Sequence, residues 1–342
     1  MGELGPAMAR PAEFSPLAIG KHVALFVLTF ITTTVAGMLW QNRTDLTDFW
    51  VGLPYSMSAL FILSCHEFGH FFAARRHGVR VTLPYYIPLP PFPSMITFGT
   101  LGAVIRTKAP IPHRTALFDI GIAGPIAGFV ASVVVLAVGF ATLPGKDFLL
   151  GIHPDYDFAL GTSASVAGEP ALRFGSTLLY ELMEWLFARP GAYIPPMSEM
   201  YHYPFLITGW FGLLVTALNL LPAGQLDGGH ITFAMFGERQ KYFGRAVLLL
   251  LLFFGGVGMA PAIVDLLGFT DAAWAIMESV PHFGALFWPG WLLWAVLILA
   301  IIKVEHPWVP AEEPLTARRR MLGWASYAIL LLCFTPAPLY FA

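Results

Sequence analysis

Charge is what this 342-residue sequence has least of. Only 12% of its side chains are Asp, Glu, Lys or Arg, about half the share of an ordinary soluble domain. A solvated globular protein is thereby excluded, and most of the chain has to face lipid or other protein. No basic tract exceeds Arg318-Arg319-Arg320 and the formal net charge is −2, which leaves no footprint for nucleic acid; no nucleic-acid partner is expected. Cysteine is almost missing. Cys65 and Cys333 both lie inside apolar runs, so no disulfide framework is offered and both read as small packing residues. The first residues, MGELGPAMARPAEFSPL, lack the pattern of a cleavable leader, and no removable signal peptide is expected. No internal repeat is visible, and no oligomeric state is read from the sequence.

Apolar residues make up 57% of the chain, with 29 Phe. A bilayer core asks for about 20 of them in a helix. Seven stretches qualify, at about 21–40, 51–74, 115–143, 203–222, 244–267, 286–303 and 322–341. The expected fold is an all-α polytopic membrane protein of about seven transmembrane helices, an integral multi-pass protein whose first partner is the lipid bilayer. Threading from an interior N-terminus places 15 of the 19 basic residues on one side. Only Arg43, Lys146, Arg173 and Arg189 fall on the other. The positive-inside rule assigns the richer side to the cytosol.

The domain reading follows from these spans. Residues 1–20 form a cytosolic N-terminal segment, and 21–342 form one membrane-embedded domain with a core over 55–235, an exterior loop over 144–202 and C-terminal spans over 244–341. Within the connection 80–114, the run ITFGTLGAVIRT (96–107) is β-branched and glycine-punctuated, which predicts a short membrane-associated β-hairpin with glycines at its bend. In the exterior loop, Leu178, Leu179, Leu182, Trp185 and Leu186 recur at helical spacing around Glu181 and Glu184, the pattern of an interfacial helix.

Ionisable residues inside a span are expensive in lipid and mark function. LSCHEFGHFFAARRHG (63–78) holds three within five positions: His66, Glu67 and His70. The two histidines, four apart, project from one face of a helix, with Glu67 beside the first. This H-E-x-x-H pattern supplies two ligands of a zinc site and a general base. A catalytic zinc takes three protein ligands, so one more must come from elsewhere. The fourth span ends TALNLLPAGQLDGGH, offering Asp227 and, three residues on, His230 as a rival. His77 and His113 read as solvated loop residues, and His153, His202 and His306 as boundary residues. Asp119, buried in the third span, reads as structural with a partner such as Arg114.

With HEFGH in one span, NLLPAGQLDGG in a later one and GIAGPIAG (121–128) between them, the chain resembles the site-2 protease family of intramembrane zinc metalloproteases, in its compact bacterial and plastid-type form. The resemblance covers about 55–235. It implies Zn²⁺ as cofactor with His66, His70 and Asp227 as its ligands, Glu67 as catalytic base and Asn219 as a residue holding substrate or transition state. The implied activity is hydrolysis of peptide bonds in or near transmembrane segments, the partner being a membrane-protein substrate with a transmembrane helix. The implied location is a bacterial inner membrane with the active site towards the cytosol. PDZ and CBS modules found in some members are not visible. A transporter or metal-ion channel, or a non-catalytic binder of membrane proteins, is the rival reading; it fits less well with acids gathered at one site and with an intact Glu67.

Overall fold

The computed structural model describes residues 15–90, 97–163, 171–280, 282–310 and 314–341. The expected N-terminal segment 1–20 therefore lies mostly outside the described residues, as does Ile96 at the start of the expected hairpin.

The long helices are α1 (Pro16–Trp40), α2 (Leu53–Arg76) and α3 (Arg114–Ala141). A short α4 (Lys146–Leu150) and the ten-residue α5 (Leu178–Phe187) precede α6 (Pro204–Leu220) and α7 (Asp227–Phe236). Then come α8 (Gln240–Leu266), α9 (Thr270–Glu278), α10 (Phe283–Leu286), α11 (Trp291–Leu297) and α12 (Ala317–Cys333). Their starts follow from local chemistry. Ser15, Thr177 and Thr316 each accept a main-chain N–H at an N-terminus, as does the His113 imidazole at the start of α3. Pro54 and Pro204 sit in first turns, where no N–H is needed.

Among the described residues, five helical stretches are long and apolar enough to cross a membrane: Pro16–Trp40, Leu46–Arg76, Arg114–Ala141, Asp227–Leu266 and Phe283–Ile302. The fourth and seventh expected spans correspond to α6 and α12, each of 17 residues and so about 26 Å long at 1.5 Å per residue. Five of the seven expected spans thus coincide with helices of full crossing length among the described residues. α6 is short because it ends at Leu221-Pro222, and the first turn of α12 is occupied by arginines. The membrane character is visible on the outside, where Phe61, Phe72, Leu249 and Phe253 are exposed on α2 and α8.

Inside, α3 is the central element, packed between α2, α6 and α7. A large apolar core around Tyr55, Leu136, Phe140, Ile207 and Trp210 fills the space between α2, α3 and α6, on the side where α6 begins. Across the other end, a bidentate pair from Arg319 of α12 to Asp119 of α3, both contacts 2.8 Å, is shared with His77 at 2.9 Å. The partner of Asp119 is thus Arg319 and not Arg114, and His77 is part of the fold, no longer a solvated loop residue.

Strand content is small but larger than expected. β1 (Tyr85–Pro88) pairs antiparallel with β2 (Thr100–Val104), in register Tyr85 to Val104. Residues 100–104 are therefore one arm of a longer ribbon and not both arms of a hairpin bent at its glycines. Gly102, at positive φ, lies beside an irregularity in the pairing. Two further pairs were not anticipated: β3 (Tyr156–Asp157) with β4 (Thr162–Ser163), and β5 (Leu172–Phe174) with β6 (Leu339–Phe341). α5 lies where the interfacial helix was expected, with Leu179, Tyr180 and Met183 buried and Leu178, Leu182, Trp185 and Leu186 exposed.

Candidate metal centre

α2 carries His66, Glu67 and His70 on its inner side, and all three are buried. Four-residue spacing stacks the histidines one turn apart, with their Nε2 atoms 3.1 Å from each other. The wall they face is α3. A Cβ placed on Gly128 would stand 3.1 Å from His66 Nδ1, one on Gly124 would collide with the His70 ring, and one on Gly121 would stand 2.8 Å from His230 Cβ. GIAGPIAG is thus a row of notches, each admitting one histidine. The signal was in the sequence: 121, 124 and 128 share a helical face, but small-residue packing alone explained them equally well.

Asp227 reaches the same place from the first turn of α7. The turn that delivers it needs its glycines. Gly224 has φ +46 and donates its N–H to Val304 O at 3.0 Å. Gly228 and Gly229 lie against the main chain of Leu220, Ala223 and Gly224, where a Cβ would clash. The result places Asp227 Oδ2 3.4 Å from His66 Nε2 and 3.3 Å from His70 Nε2.

The three atoms therefore form a nearly equilateral triangle, and their chemistry is that of ligands. His70 donates its Nδ1–H to Ile120 O at 2.7 Å, which assigns the proton to that nitrogen and leaves a lone pair on Nε2. The Asp227 carboxylate also offers only lone pairs. A single proton on His66 could point at one neighbour, whereas a cation at the centre satisfies all three. Ligands at about 2.0–2.1 Å from a tetrahedral zinc stand about 3.3 Å apart, which matches the triangle. The donor set and its geometry fit zinc.

Glu67 and Asn219 complete the group. Glu67 lies within electrostatic reach of His70, Asp227 and the main-chain N–H of Ile105, just after β2. Asn219, in the last turn of α6, has Nδ2 3.5 Å from His66 Nε2, at the limit of a hydrogen bond, so it borders the triangle without binding tightly into it. All five residues singled out in the sequence meet here.

His230 does not join the triangle. His306 donates its Nδ1–H to Pro307 O at 2.5 Å, which leaves its Nε2 to accept the Nδ1–H of His230 at 2.7 Å. Phe233 stacks on the His306 ring. This pairing, 76 residues apart in sequence, had no sequence signal.

Comparison with known proteins places the same region in context. The family model described as Peptidase family M50 matches residues 55–258. Among curated proteins, the probable chloroplastic zinc metalloprotease EGY1 of Arabidopsis thaliana is 34% identical over 200 residues, 58% of this chain and 32% of the relative. The probable chloroplastic zinc metallopeptidase EGY3 of the same plant is 30% identical over 251 residues, 71% of this chain and 40% of the relative. The alignments span about a third to two fifths of the length of these relatives. No solved structure matches the chain.

Proposed function

Since the chain belongs to peptidase family M50, we propose that it is an intramembrane zinc metalloprotease, with His66, His70 and Asp227 as zinc ligands, Glu67 as catalytic base and Asn219 as a group that holds the scissile region. The observation that carries this reading is the convergence of three lone-pair donors within 3.1–3.4 Å beside a buried carboxylate. When bound, zinc supplies Lewis-acid polarisation of a carbonyl and acidifies a water. Glu67 is the residue beside the triangle able to take that proton and return one to the leaving amine. The Ile105 N–H faces its carboxylate. Burial by α3 and the ribbon keeps bulk water from the reacting groups.

The substrate in this reading is a membrane protein with a transmembrane helix, whose carbonyls are hidden in i to i−4 bonds until the helix unwinds locally. The β1–β2 ribbon is the element that receives the unwound segment. Ile105 points its N–H towards Glu67, so by strand alternation Ala103 presents its own N–H on the same side, away from β1. A substrate strand pairing along that edge lies next to the base and is read through its main chain.

The same reading takes residues 21–342 as one membrane-embedded protease domain that crosses the bilayer seven times, α6 and α12 included. It sits in a bacterial inner membrane with its N-terminus and active site on the cytosolic side. The 15 to 4 division of basic residues supports that orientation. Cysteines placed singly at Arg80 and Leu160, with Cys65 and Cys333 replaced, are expected to react with an impermeant thiol reagent from opposite faces; reaction of both from one face removes the orientation.

The deciding experiment on function is Glu67→Gln in the purified full chain. Zinc content is expected to be unchanged and cleavage of a single-span substrate to fall by about 10²–10⁴-fold, the usual contribution of a general base. Undiminished turnover at equal zinc content overturns the assignment.

A further inference from the structure

Among the described residues, a second group of His and acid ligand atoms lies within 4.8 Å of one another: His153, Glu199 and His202. None of these belongs to the H-E-x-x-H site. His153 follows α4, Glu199 and His202 immediately precede α6, and α6 is about 26 Å long. The cluster thus lies at the end of α6 opposite Asn219.

Its geometry repeats that of the first triangle. His153 Nε2 and His202 Nε2 are 3.0 Å apart, His202 Nε2 stands 3.3 Å from Glu199 Oε2 and His153 Nε2 3.7 Å from the same oxygen. His202, almost fully buried, donates its Nδ1–H to the carbonyl of Trp40, the last residue of α1, at 2.5 Å. That bond fixes the tautomer and turns the Nε2 lone pair into the cluster, as a main-chain carbonyl does behind many metal-bound imidazoles. Glu199 Oε2 is buried and accepts no hydrogen bond, although an unpartnered buried carboxylate oxygen is costly. A proton on His153 Nε2 would satisfy the edge to His202 and leave Glu199 unmatched. One divalent cation satisfies every edge.

We propose that His153, Glu199 and His202 form a second zinc site, with two imidazoles and one carboxylate as ligands and water in the remaining position. Its role is structural. The ion ties the segment after α4 to the start of α6, and through the Trp40 carbonyl to the end of α1. Zinc is the metal named because it takes imidazole nitrogen and carboxylate oxygen together and because the ligand separations of 3.0–3.7 Å bracket the roughly 3.3 Å of a tetrahedral centre.

The test is zinc stoichiometry of the full chain in detergent, measured on the wild type, Asp227→Asn, Glu199→Gln and the double variant. Two equivalents are expected for the wild type, one for each single variant and none for the double. Cobalt substitution supplies a second readout. Asp227→Asn should retain a d–d spectrum of a site with nitrogen and oxygen ligands, and adding Glu199→Gln should abolish it. One equivalent in the wild type that vanishes in Asp227→Asn and survives Glu199→Gln overturns the second site and leaves the protease reading intact. One equivalent with the opposite pattern supports the second site and removes the metal from the first. No zinc in any form overturns both. If Glu199→Gln does not fold, His153→Gln at the half-buried position takes its place, with the same expected loss of one equivalent.

Discussion

At the end of α6 that carries Asn219, three ligand atoms are brought together by helices: two from consecutive turns of α2 and one from the first turn of α7, against a grooved α3. At the other end, His153, Glu199 and His202 come from irregular chain and short turns, with a carbonyl from the end of α1 behind them. The triangles have similar edges, but their supports differ. The first is held by close helix packing that leaves no freedom to the imidazoles, and it has a carboxylate, Glu67, standing by that is not a member of the triangle. In the second, the acid Glu199 is itself one of the three candidate ligands. Rigid framing with an adjacent base suits chemistry, whereas ligands gathered from separate loop segments suit cross-linking.

The sharpest way to break that contrast is Asp227→Asn. Cleavage is expected to fall at least as far as with loss of the base, on the order of 10²–10⁴-fold or more, while thermal stability changes little if the second triangle does the fastening. A large drop in melting temperature on chelating zinc from this variant would locate the fastening in His153, Glu199 and His202. The absence of any drop would deny them a structural role.

Gly124→Ala comes next in size. The added methyl must displace the His70 ring, so zinc affinity at the first triangle is expected to weaken by about 10–100-fold, the scale seen when a supporting group is disturbed. Overpacking should also cost about 1–3 kcal/mol. Isothermal titration on apoprotein checks the first effect and denaturation the second. Unaltered affinity would mean that the notch in α3 does not frame the site.

A smaller effect is expected at the ribbon. Ala103→Pro deletes an outward main-chain donor, while Ala103→Val keeps it, so cleavage of a membrane substrate should drop about 10-fold or more in the former and less than about 3-fold in the latter, given roughly 1 kcal/mol for a lost hydrogen bond with some strain added. Zinc content and melting temperature should be alike in both. Equal losses would shift recognition from main chain to side chains. The least effect is expected from His230→Ala, which removes a hydrogen-bonded neighbour of His306 and no ligand. Metal content should stay near that of the wild type, and its loss would return His230 to the ligand set.

The contrast between the triangles also explains what could be read from the sequence. His66, Glu67 and His70 were legible because helical periodicity converts a five-residue word into one face, and the intramembrane location made the word costly enough to notice. Asp227 needed the second motif, since nothing local separates it from His230; what separates them is the pairing of His230 with His306, a contact without periodicity. The second triangle was invisible for the same reason. His153 and His202 are 49 residues apart, in chain with no regular repeat, and each alone looked like a boundary histidine. The strand 100–104 was visible as β-prone, but its partner was misplaced, because glycines at 99 and 102 suggest a bend as readily as the irregularity found there. α6 and α12, at the places of the fourth and seventh expected spans, are shorter than the other five because a proline ends one and arginines begin the other.

The ion pair between Asp119 and Arg319 joins residues 200 apart in sequence. At a synthesis rate of about 5–20 residues per second, Asp119 leaves the ribosome about 10–40 s before its guanidinium partner exists. During that interval His77, the other partner of Asp119 among the described residues, answers its charge, so α2 and α3, which carry His66, His70 and the groove they fit, can associate before α12 arrives to lock them. α12 acts as a timer: His66 and His70 seat against the notches of α3 first, and α3 is fastened to α12 only after some 200 further residues have been made.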